Sequence, residues 1–312
     1  MNLSLFLYMT EYVNLPLGDT LEIDYSVILG DESDITNTWD ITIKENYSNE
    51  LNDDSLKDIL DILETSTLKW TPSEQKYIGE HTFKISDNED LIVNVYDIPT
   101  SGVSNWTFND VDTVNSTAID IWGSNDAEIH NIVTGSEGAN KTYNTGESYS
   151  FNGSNSMVVN NNIDIPSDEI TISCWQYAES ISSNKCTFQI PGSDYSNELA
   201  LFYEGGQWRI VHSNNPYDIG EYINNEWVHI VITADSSGFN FYINSTETYS
   251  VSDSSQLDFP NNDINIGTDV DTSETDYGNY FNGFIDDFRI YNKILSNNEI
   301  SNLYNTGYIH SV

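Results

Sequence analysis

Most of the chain, from residue 105 onward, consists of short apolar or alternating segments that are separated by turn residues. The segments ITISCWQYA, EWVHIVITAD and FNGFIDDFRIYN are rich in β-branched and aromatic residues, and they alternate or run apolar throughout. EGG and DSSG each stand between two such segments and are typical of hairpin turns. Many short strands with frequent turns predict an all-β domain in which two sheets pack face to face.

The first hundred residues show the same periodicity. GDTLEIDYSVIL and NTWDITIKEN alternate polar and apolar residues, and the stretch TLKW to VYDIP predicts three more strands. DIPTSGVSN contains proline and glycine and marks a linker. The sequence therefore predicts a terminal tail or docking segment over residues 1–13, a β-sandwich over 14–99, a linker over 100–104 and a larger β-sandwich over 105–312.

Two short helices are expected between the strands. NDDSLKDILDILETS offers Ser55 as a helix cap, followed by apolar residues at helical spacing. SNNEISNLYNTG near the end of the chain has Ser296 and Glu299 at the spacing of a capping box, with Gly307 just past the end of the expected helix. The fold class is therefore all-β with a short C-terminal helix.

The charge balance is extreme, since the chain has 50 Asp and Glu against 10 Lys and Arg, a formal net charge of −40. Such a charge destabilises a folded domain by self-repulsion in dilute buffer, and molar salt screens that repulsion. The hydrophobic content of 38% is sufficient for packed cores. The composition favours a protein of hypersaline water, with an ordinary acidic secreted protein as the alternative. Nucleic acid is not an expected partner, because no basic patch is present.

Cysteine and hydropathy patterns narrow the class further. Cys174 and Cys186 each alternate in phase with apolar neighbours, which favours two buried small side chains, and a bridge between them stays open. No apolar run approaches the roughly 18 residues of a membrane-spanning helix, so membrane insertion is not expected. The start, MNLSLFLYMTEY, lacks a basic region and a small-residue cleavage site and is not expected to be a signal peptide.

One stretch of the first sandwich carries a family resemblance. LKWTPSEQKYIGEHTFKISD resembles the closing strands of cadherin-like and immunoglobulin-like modules, and the match rests on Trp70, Pro72, Gly79 and Phe83. The resemblance implies an immunoglobulin-like β-sandwich that acts as a spacer.

The second sandwich resembles the laminin G-like, concanavalin A-like jelly-roll domain. The match is carried by WTFNDVDTVNSTAIDIWGSNDAEIHN, YSFNGSNSMVV, EITISCWQYA, EWVHIVITADSSGFNFYIN and the closing FNGFIDDFRIYNKILSNNEISNLYN. The resemblance implies a jelly-roll sandwich with lectin-like binding.

The closing strand FIDDFRIY also raises the question of a metal. Strict alternation would place Phe284, Asp286, Phe288 and Ile290 on one face, so one aspartate would point toward the apolar side. A buried carboxylate is costly without a partner, and a bound cation would satisfy it. The alternative is that Asp286 accepts hydrogen bonds from backbone amides in a turn.

Domains of the resembled family often carry a structural Ca²⁺ between the closing-strand aspartate and the early Asp/Gly/Asn turn. Hard oxygen ligands suit Ca²⁺ better than a transition metal. In this sequence the resemblance implies a site built from Asp120, Gly123, Asn125, Asp126, Asp286 and Asp287.

Aromatic residues near loops suggest a ligand surface. Rings can stack on sugars while Asn and Asp side chains bond to hydroxyls. The candidates, for each of which ordinary packing is the alternative, are Tyr195, Tyr203, Trp208, Tyr217 and Tyr222.

Catalysis is not expected. An aromatic strand with closely spaced acids, as concanavalin A-like glucanases carry, is missing from the sequence, and so is a G-x-S-x-G elbow. His229 lies within the apolar segment EWVHIVIT and is expected to pack. A glycan-degrading enzyme of the concanavalin A-like class is kept as a minor alternative.

A spacer-like module, a lectin-like module and a hypersaline composition together resemble surface proteins of haloarchaeal tailed viruses. The resemblance implies a capsid turret, decoration or tail fibre component, exposed on the virion surface and contacting host glycans or glycoproteins. Virion components of this kind are commonly symmetric homo-oligomers. Leu3, Leu5, Phe6 and Leu7 would then dock onto neighbouring virion subunits. The alternative is a secreted or cell-surface carbohydrate-binding adhesin of a halophilic microbe.

The charge balance gives a first testable prediction. Thermal unfolding in KCl should show a midpoint that rises steadily from about 0.1 M to about 1 M salt, because the screening length falls from about 10 Å to about 3 Å. Differential scanning calorimetry measures the midpoint, and sucrose of equal osmolality is the control for excluded solute. A midpoint that does not respond to salt would contradict the hypersaline interpretation.

Overall fold

The computed structural model describes residues 10–16, 21–24, 43–45, 67–70, 79–86, 89–137, 147–166, 168–179, 184–192, 197–255, 257, 259, 263–270 and 277–307. The described residues before position 99 belong to one compact unit, and Pro99–Tyr304 form a second. The sequence places the boundary between its two sandwiches at residues 100–104.

Six strands make up the described part of the first unit. They are β1 (Thr10–Pro16), β2 (Leu21–Asp24), β3 (Ile43–Glu45), β4 (Thr67–Trp70), β5 (Gly79–Ser86) and β6 (Glu89–Tyr96). β1 runs parallel to β6, which pairs antiparallel with β5, and β5 pairs antiparallel with β3. β2 and β4 form a separate antiparallel pair.

Strand β1 shortens the predicted tail. Residues 10–13, which the sequence assigns to the tail, lie in this strand and pair with residues 90–93 of β6. The docking residues expected at positions 3 to 7 and the helix expected after Ser55 lie outside the described residues.

The second unit contains nineteen strands within the described residues. The first ten are β7 (Ser104–Trp106), β8 (Thr113–Val114), β9 (Thr117–Ala118), β10 (Ala127–His130), β11 (Val133–Glu137), β12 (Glu147–Asn152), β13 (Met157–Asn160), β14 (Glu169–Ala178), β15 (Lys185–Pro191) and β16 (Asn197–Glu204). The others are β17 (Gln207–His212), β18 (Asn215–Glu221), β19 (Trp227–Asp235), β20 (Gly238–Ile243), β21 (Thr246–Ser252), β22 (Ile264–Ile266), β23 (Asp269–Val270), β24 (Tyr277–Gly278) and β25 (Asn282–Tyr291). Helix α1 (Asn297–Gly307) follows the last strand.

These strands form two large sheets. The nine-stranded sheet has the order β18-β17-β16-β15-β22-β13-β10-β9-β8. The eight-stranded sheet has the order β11-β12-β25-β14-β19-β20-β21, with β7 paired to β25. The small hairpin β23–β24 stands apart from both. The predicted all-β fold class, a sandwich with one C-terminal helix, is confirmed for the described residues.

A single apolar core lies between the two large sheets. Alternate residues of β19 contribute to it, as do alternate residues of β16 and β17. Rings from opposite sheets meet inside it, with ring centroids 5.8 Å apart for Trp208 and Phe241 and 5.7 Å apart for Phe188 and Phe288. Burial of this continuous interior determines which side of each strand faces inward.

Local turn chemistry agrees with the sequence. Gly205 and Gly206, with φ of 61° and 90°, join β16 to β17, and the expected hairpin between β19 and β20 is present. Ser213 and Asn214 also have positive φ, at 47° and 63°, and join β17 to β18 in two residues. Positive φ at both central positions matches the right-handed twist of the flanking strands.

The closing strand departs from strict alternation at a β-bulge. One residue of β14 faces both Asp287 and Phe288 of β25, and Asp287 has a φ of 50°. Ile285, Phe288 and Ile290 therefore face the core. Asp286 pairs with Trp175 on the opposite face and is 3% exposed.

The bulge corrects one interpretation of the sequence. The prediction that Asp286 shares the core face with Phe288 is wrong, because the extra residue shifts the alternation by one position. The pairing expected for Arg289 is confirmed, since its Nη2 lies 3.2 Å from the Asp287 carboxylate.

Helix α1 covers part of the outer face of the eight-stranded sheet. The Ser296 hydroxyl and backbone N–H meet the Glu299 carboxylate at 2.9 and 2.8 Å, and the Glu299 N–H donates to Ser296 Oγ at 3.3 Å. This is the predicted capping box. Tyr304 of the helix stacks on Trp175 with ring centroids 5.6 Å apart.

His229 lies buried beneath the same helix. Its Nε2 is 3.0 Å from Ser173 Oγ, and its ring lies 5.0 Å from that of Trp175. Burial, together with the positive charge of Arg289, lowers the pKa of His229 to about 3. The imidazole is therefore neutral at physiological pH, and its surroundings match the packing role expected from the sequence.

Both cysteines are buried free thiols. Cys174 lies in the core between the sheets, and Cys186 lies in a smaller apolar cluster on the nine-stranded sheet. Burial raises the pKa of each thiol. The favoured interpretation of two small buried side chains is confirmed.

The buried histidine predicts a specific pH dependence. In the unfolded chain His229 titrates near pH 6.5, whereas in the folded protein it stays neutral down to about pH 3. The unfolded state therefore gains a proton that the native state does not, and His229 lowers the free energy of unfolding as pH falls below 6.5. The substitution His229→Gln should remove this contribution to the pH dependence of the free energy of unfolding.

Urea unfolding of both proteins at pH 7 and pH 5 measures the effect. The stability of the natural protein relative to H229Q should fall by about 2 kcal/mol between the two pH values. Other carboxylates and histidines cancel in the difference. A relative stability that is the same at both pH values would show that His229 titrates normally.

Candidate functional site

The turn that was expected to bind calcium is held together by its own hydrogen bonds. Asp120 is 3% exposed, and its Oδ1 accepts the N–H groups of Asn105 and Trp122 at 2.9 and 3.0 Å. Its Oδ2 accepts the Asn125 N–H at 3.2 Å, and Asp126 Oδ1 accepts the Asp120 N–H at 2.9 Å. Backbone amides thus satisfy a buried carboxylate that would otherwise be costly.

The other residues of this turn tie it to strand β7. Asn125 Nδ2 donates to Val103 O and to Ser104 Oγ, both at 2.9 Å, and Trp106 Nε1 donates to Asn125 O at 2.9 Å. A Cβ at Gly123 would lie 2.9 Å from Asp120 Oδ2. A side chain at this position would therefore have to displace the Asp120 carboxylate.

The structure does not gather the six expected ligands into one set. Asp286 and Asp287 lie on β25, and among the described residues no three acidic, histidine or cysteine side chains are placed to hold a metal ion. Hydrogen bonding to backbone amides, the alternative considered for Asp286, is what the structure gives Asp120. The structure describes no such group at these residues, and calcium binding stays a prediction.

Chelation separates the two interpretations. Since amides satisfy Asp120, we expect excess EGTA to leave the thermal midpoint unchanged, whereas Asp120→Ala should cost about 2 to 3 kcal/mol by leaving buried N–H groups without acceptors. Melting curves in dilute buffer, with and without EGTA, measure the first effect. A midpoint that falls in EGTA and is restored by added Ca²⁺ would support the calcium site instead.

The aromatic ligand candidates lie mostly on the inner side of the nine-stranded sheet. Tyr195 lies outside the described residues. Trp208 is fully buried in the core, and its ring lies 4.3 Å from that of Tyr222. The Tyr203 and Tyr222 rings lie 4.4 Å apart, and Tyr217 packs edge-on against Phe239.

Hydrogen bonds hold two of these rings in place, those of Tyr222 and Tyr217. The Tyr222 hydroxyl accepts from Gln176 Nε2 at 3.2 Å, and burial raises its pKa. The Tyr217 hydroxyl donates to Asp253 Oδ2 at 2.8 Å. The structure thus brings Tyr203, Trp208 and Tyr222 together, but on the side of the sheet that faces the core.

In the hairpin of β16 and β17, the residues that alternate with the core-facing ones point outward and line a cleft. Phe202 and Glu204 of β16 and Arg209 and Val211 of β17 project from the outer face of the nine-stranded sheet. Phe202 and Val211 belong to a small apolar cluster with Cys186 and Ala200, which makes the floor. The cleft has a volume of about 310 Å³, at the lower end of the usual range for ligand sites.

Polar side chains from distant parts of the chain form the walls. Three amides line the cleft: Asn184 just before β15, Asn214 in the β17–β18 turn, and Asn279 just after β24. Asn279 Nδ2 donates to Asp269 Oδ2 at 3.0 Å, and the backbone N–H of Cys186 donates to Asn279 O at 2.6 Å.

One wall carries an arginine between two carboxylates. Arg209 Nε donates to Asp218 Oδ1 at 2.8 Å, and Nη1 pairs with Glu204 Oε2. The hydrogen bond to Asp218 is the main cause of the raised pKa of Arg209, and in turn it lowers the pKa of Asp218. Arg209 and Asp218 are therefore both charged at neutral pH.

The comparison with protein families matches residues 151–301 to the concanavalin A-like lectin/glucanases superfamily. The two packed sheets agree with this match. Residues 151–301 are therefore a concanavalin A-like lectin/glucanase domain, which confirms this part of the expected resemblance. The comparison with curated proteins gives no match.

Solved structures share the fold at low sequence identity. A Trypanosoma rangeli sialidase bound to the inhibitor DANA is 15% identical with a TM-score of 0.51, over 67% of this chain and 33% of the sialidase. A second structure belongs to botulinum neurotoxin type C, whose cell entry depends on interaction with two ganglioside molecules. It is 15% identical with a TM-score of 0.50, and the match covers 67% of this chain and 52% of the toxin chain. Domain 4 of a Geobacillus stearothermophilus arabinanase, bound to arabinotriose, is 18% identical with a TM-score of 0.49. That match covers 65% of this chain and 98% of the arabinanase domain.

The chain thus spans about a third of the sialidase and about half of the toxin chain. At 15% identity, the likenesses to the sialidase and the toxin concern the fold alone. Among the described residues, no helix has the length and apolar character needed to cross a membrane.

Proposed function

We propose that the second unit is a glycan-binding module and that the cleft on the outer face of the nine-stranded sheet is its binding site. The observation that carries this proposal is the cleft itself, which combines an apolar floor with amide and carboxylate walls. A sugar ring has an apolar face of C–H groups and an edge of hydroxyls, and it matches that combination. Membership of residues 151–301 in a superfamily of lectins and glucanases supports it.

Different side chains of the cleft would contact different parts of a sugar. Phe202 and Val211 offer apolar contact to the C–H face of a sugar. Amide groups such as those of Asn184 and Asn214 can both donate to and accept from hydroxyls, and carboxylates such as Glu204 accept from them. Asn184 and Asn214 are exposed, so they reach a ligand without rearrangement of the core.

We propose binding rather than hydrolysis. Glycoside hydrolysis needs two carboxyl groups that flank the scissile bond, one as acid and the other as base or nucleophile. The two carboxylates that line the cleft have other partners, since Glu204 pairs with Arg209 and Asp269 accepts from Asn279. This arrangement suits a fixed recognition surface.

We further propose an immunoglobulin-like spacer for the first unit. Its sheet order, β1-β6-β5-β3 beside the pair β2–β4, corresponds to the C-F-G and B-E pairings of immunoglobulin domains, with β1 added along the last strand. A spacer and a glycan-binding module in one chain suit a protein that is exposed on the surface of a cell or particle.

The acidic composition supports a hypersaline setting, and we propose a surface component of a halophilic virus particle that contacts host glycans. A cellular adhesin of a halophilic microbe is the alternative. Mass spectrometry of purified halophilic virions tests the proposal: the chain should be present in stoichiometric amount, and its absence from particles would favour the adhesin.

A matched pair of substitutions tests the cleft. Asn214 and Asn225 are both exposed and both have positive φ, at 63° and 57°, but only Asn214 is among the residues that line the cleft. Asn214→Met places a long neutral side chain at the site and should weaken glycan binding at least about tenfold, or 1.4 kcal/mol. Asn225→Met should bind like the natural protein.

Glycan-array screening in molar KCl, followed by titration calorimetry with a retained glycan, measures both variants. Equal thermal midpoints would show that both variants fold. Equal loss of binding in both variants, or in neither, would place the binding site elsewhere.

A further inference from the structure

The charges around the cleft bear on which glycans it accepts. Resting on the proposed glycan-binding function, we infer that this cleft selects uncharged glycans and rejects those that carry a carboxylate, such as sialic or uronic acids. The side chains of this cleft carry the inference.

Among the described residues that line the cleft, Arg209 is the only one with a basic side chain. A guanidinium recognises a carboxylate best through two parallel N–H groups, and two of its edges reach outward, one with Nε and Nη2 and the other with Nη1 and Nη2. Asp218 occupies Nε at 2.8 Å, and Glu204 occupies Nη1. Each edge already holds a carboxylate of the protein, so neither is open to a paired contact with an acidic sugar.

The charge balance of the lining points the same way. Among the described residues that line the cleft, Arg209 contributes one formal positive charge, and Glu204 and Asp269 contribute two formal negative charges, which leaves −1. Counting Asp218, which pairs with the same guanidinium, the balance is −2. An incoming carboxylate therefore meets like charge at contact distance, where screening by salt is least effective.

A neutral sugar meets no such penalty. Its hydroxyls can donate to the carboxylate oxygens of Glu204 and Asp269 and can accept from the amides of Asn184 and Asn214. The hydrogen bonds from hydroxyls to these carboxylates are charge-assisted, and such bonds are stronger than those between neutral groups. The negative lining therefore favours hydroxyl-rich uncharged ligands.

The test compares matched neutral and sialylated glycans, such as lactose-terminated chains with and without sialic acid, on an array in about 1 M KCl. The natural protein should retain the neutral members at least about tenfold more tightly than their sialylated counterparts. The double variant Glu204→Gln/Asp218→Asn removes the two carboxylates that pair with Arg209. It should reduce the ratio of the affinities for neutral and sialylated glycans at least about tenfold. Thermal midpoints of the variants check that each is folded.

A control variant separates the cleft from the total charge of the protein. Glu128→Gln/Glu226→Gln also removes two exposed carboxylates, and neither residue lines the cleft. Its preference for neutral glycans should equal that of the natural protein. A control that narrows the preference as much as the cleft variant would overturn the inference.

The remaining outcomes distinguish this inference from the proposed function. If the natural protein retains sialylated and neutral glycans equally, or prefers the sialylated ones, the selectivity is refuted while glycan binding stands. If the natural protein retains no glycan of either kind, the proposed function fails and the inference fails with it.

Discussion

The rest of the second unit depends on one constraint, which is the burial of a continuous apolar layer between two antiparallel sheets. Rings from the two sheets meet inside this layer, as Trp208 and Phe241 do. Because successive side chains of a strand point to opposite faces, burial of one phase commits the other phase to the outer surface. Core packing therefore decides which residues of each strand are available for binding.

The two outer faces are used differently. On the eight-stranded sheet, the bulge at Asp287 turns Asp286 and Arg289 outward, beside Ser173 and the buried His229. Helix α1 lies over this face and places Tyr304 on Trp175. The polar groups of this face therefore contribute to stability. On the nine-stranded sheet, the outer phase of β16 and β17 instead lines an open cleft, and Arg209 between its two carboxylates organises one wall.

Features that depend on near neighbours in sequence could be predicted, whereas features that depend on strand pairing could not. The EGG turn and the Ser296–Glu299 capping box involve residues a few positions apart, and both are present. The bulge at Asp287 arises only when β25 pairs with β14, more than one hundred residues earlier in the chain. Strict alternation therefore assigned Asp286 to the wrong face.

The cleft was missed for a related reason. Its walls join Asn184, Arg209 and Asp269, which lie far apart in sequence. Position near a loop does not distinguish a ligand contact from a packing residue, and Trp208 lies on the core-facing side of β17 with Ile210. One signal was available: across the EGG turn, Glu204 and Arg209 both belong to the outward phase, and their opposite charges marked that face as polar.

Nuclear magnetic resonance can locate the proposed glycan site on the outer face of the nine-stranded sheet. The isotope-labelled protein is titrated with a retained neutral glycan in molar KCl. We expect the side-chain amide signals of Asn184, Asn214 and Asn279 to shift together and saturate with one affinity, while that of Asn225 stays unchanged. Saturable shifts that spare these three amides and map to another surface would contradict it.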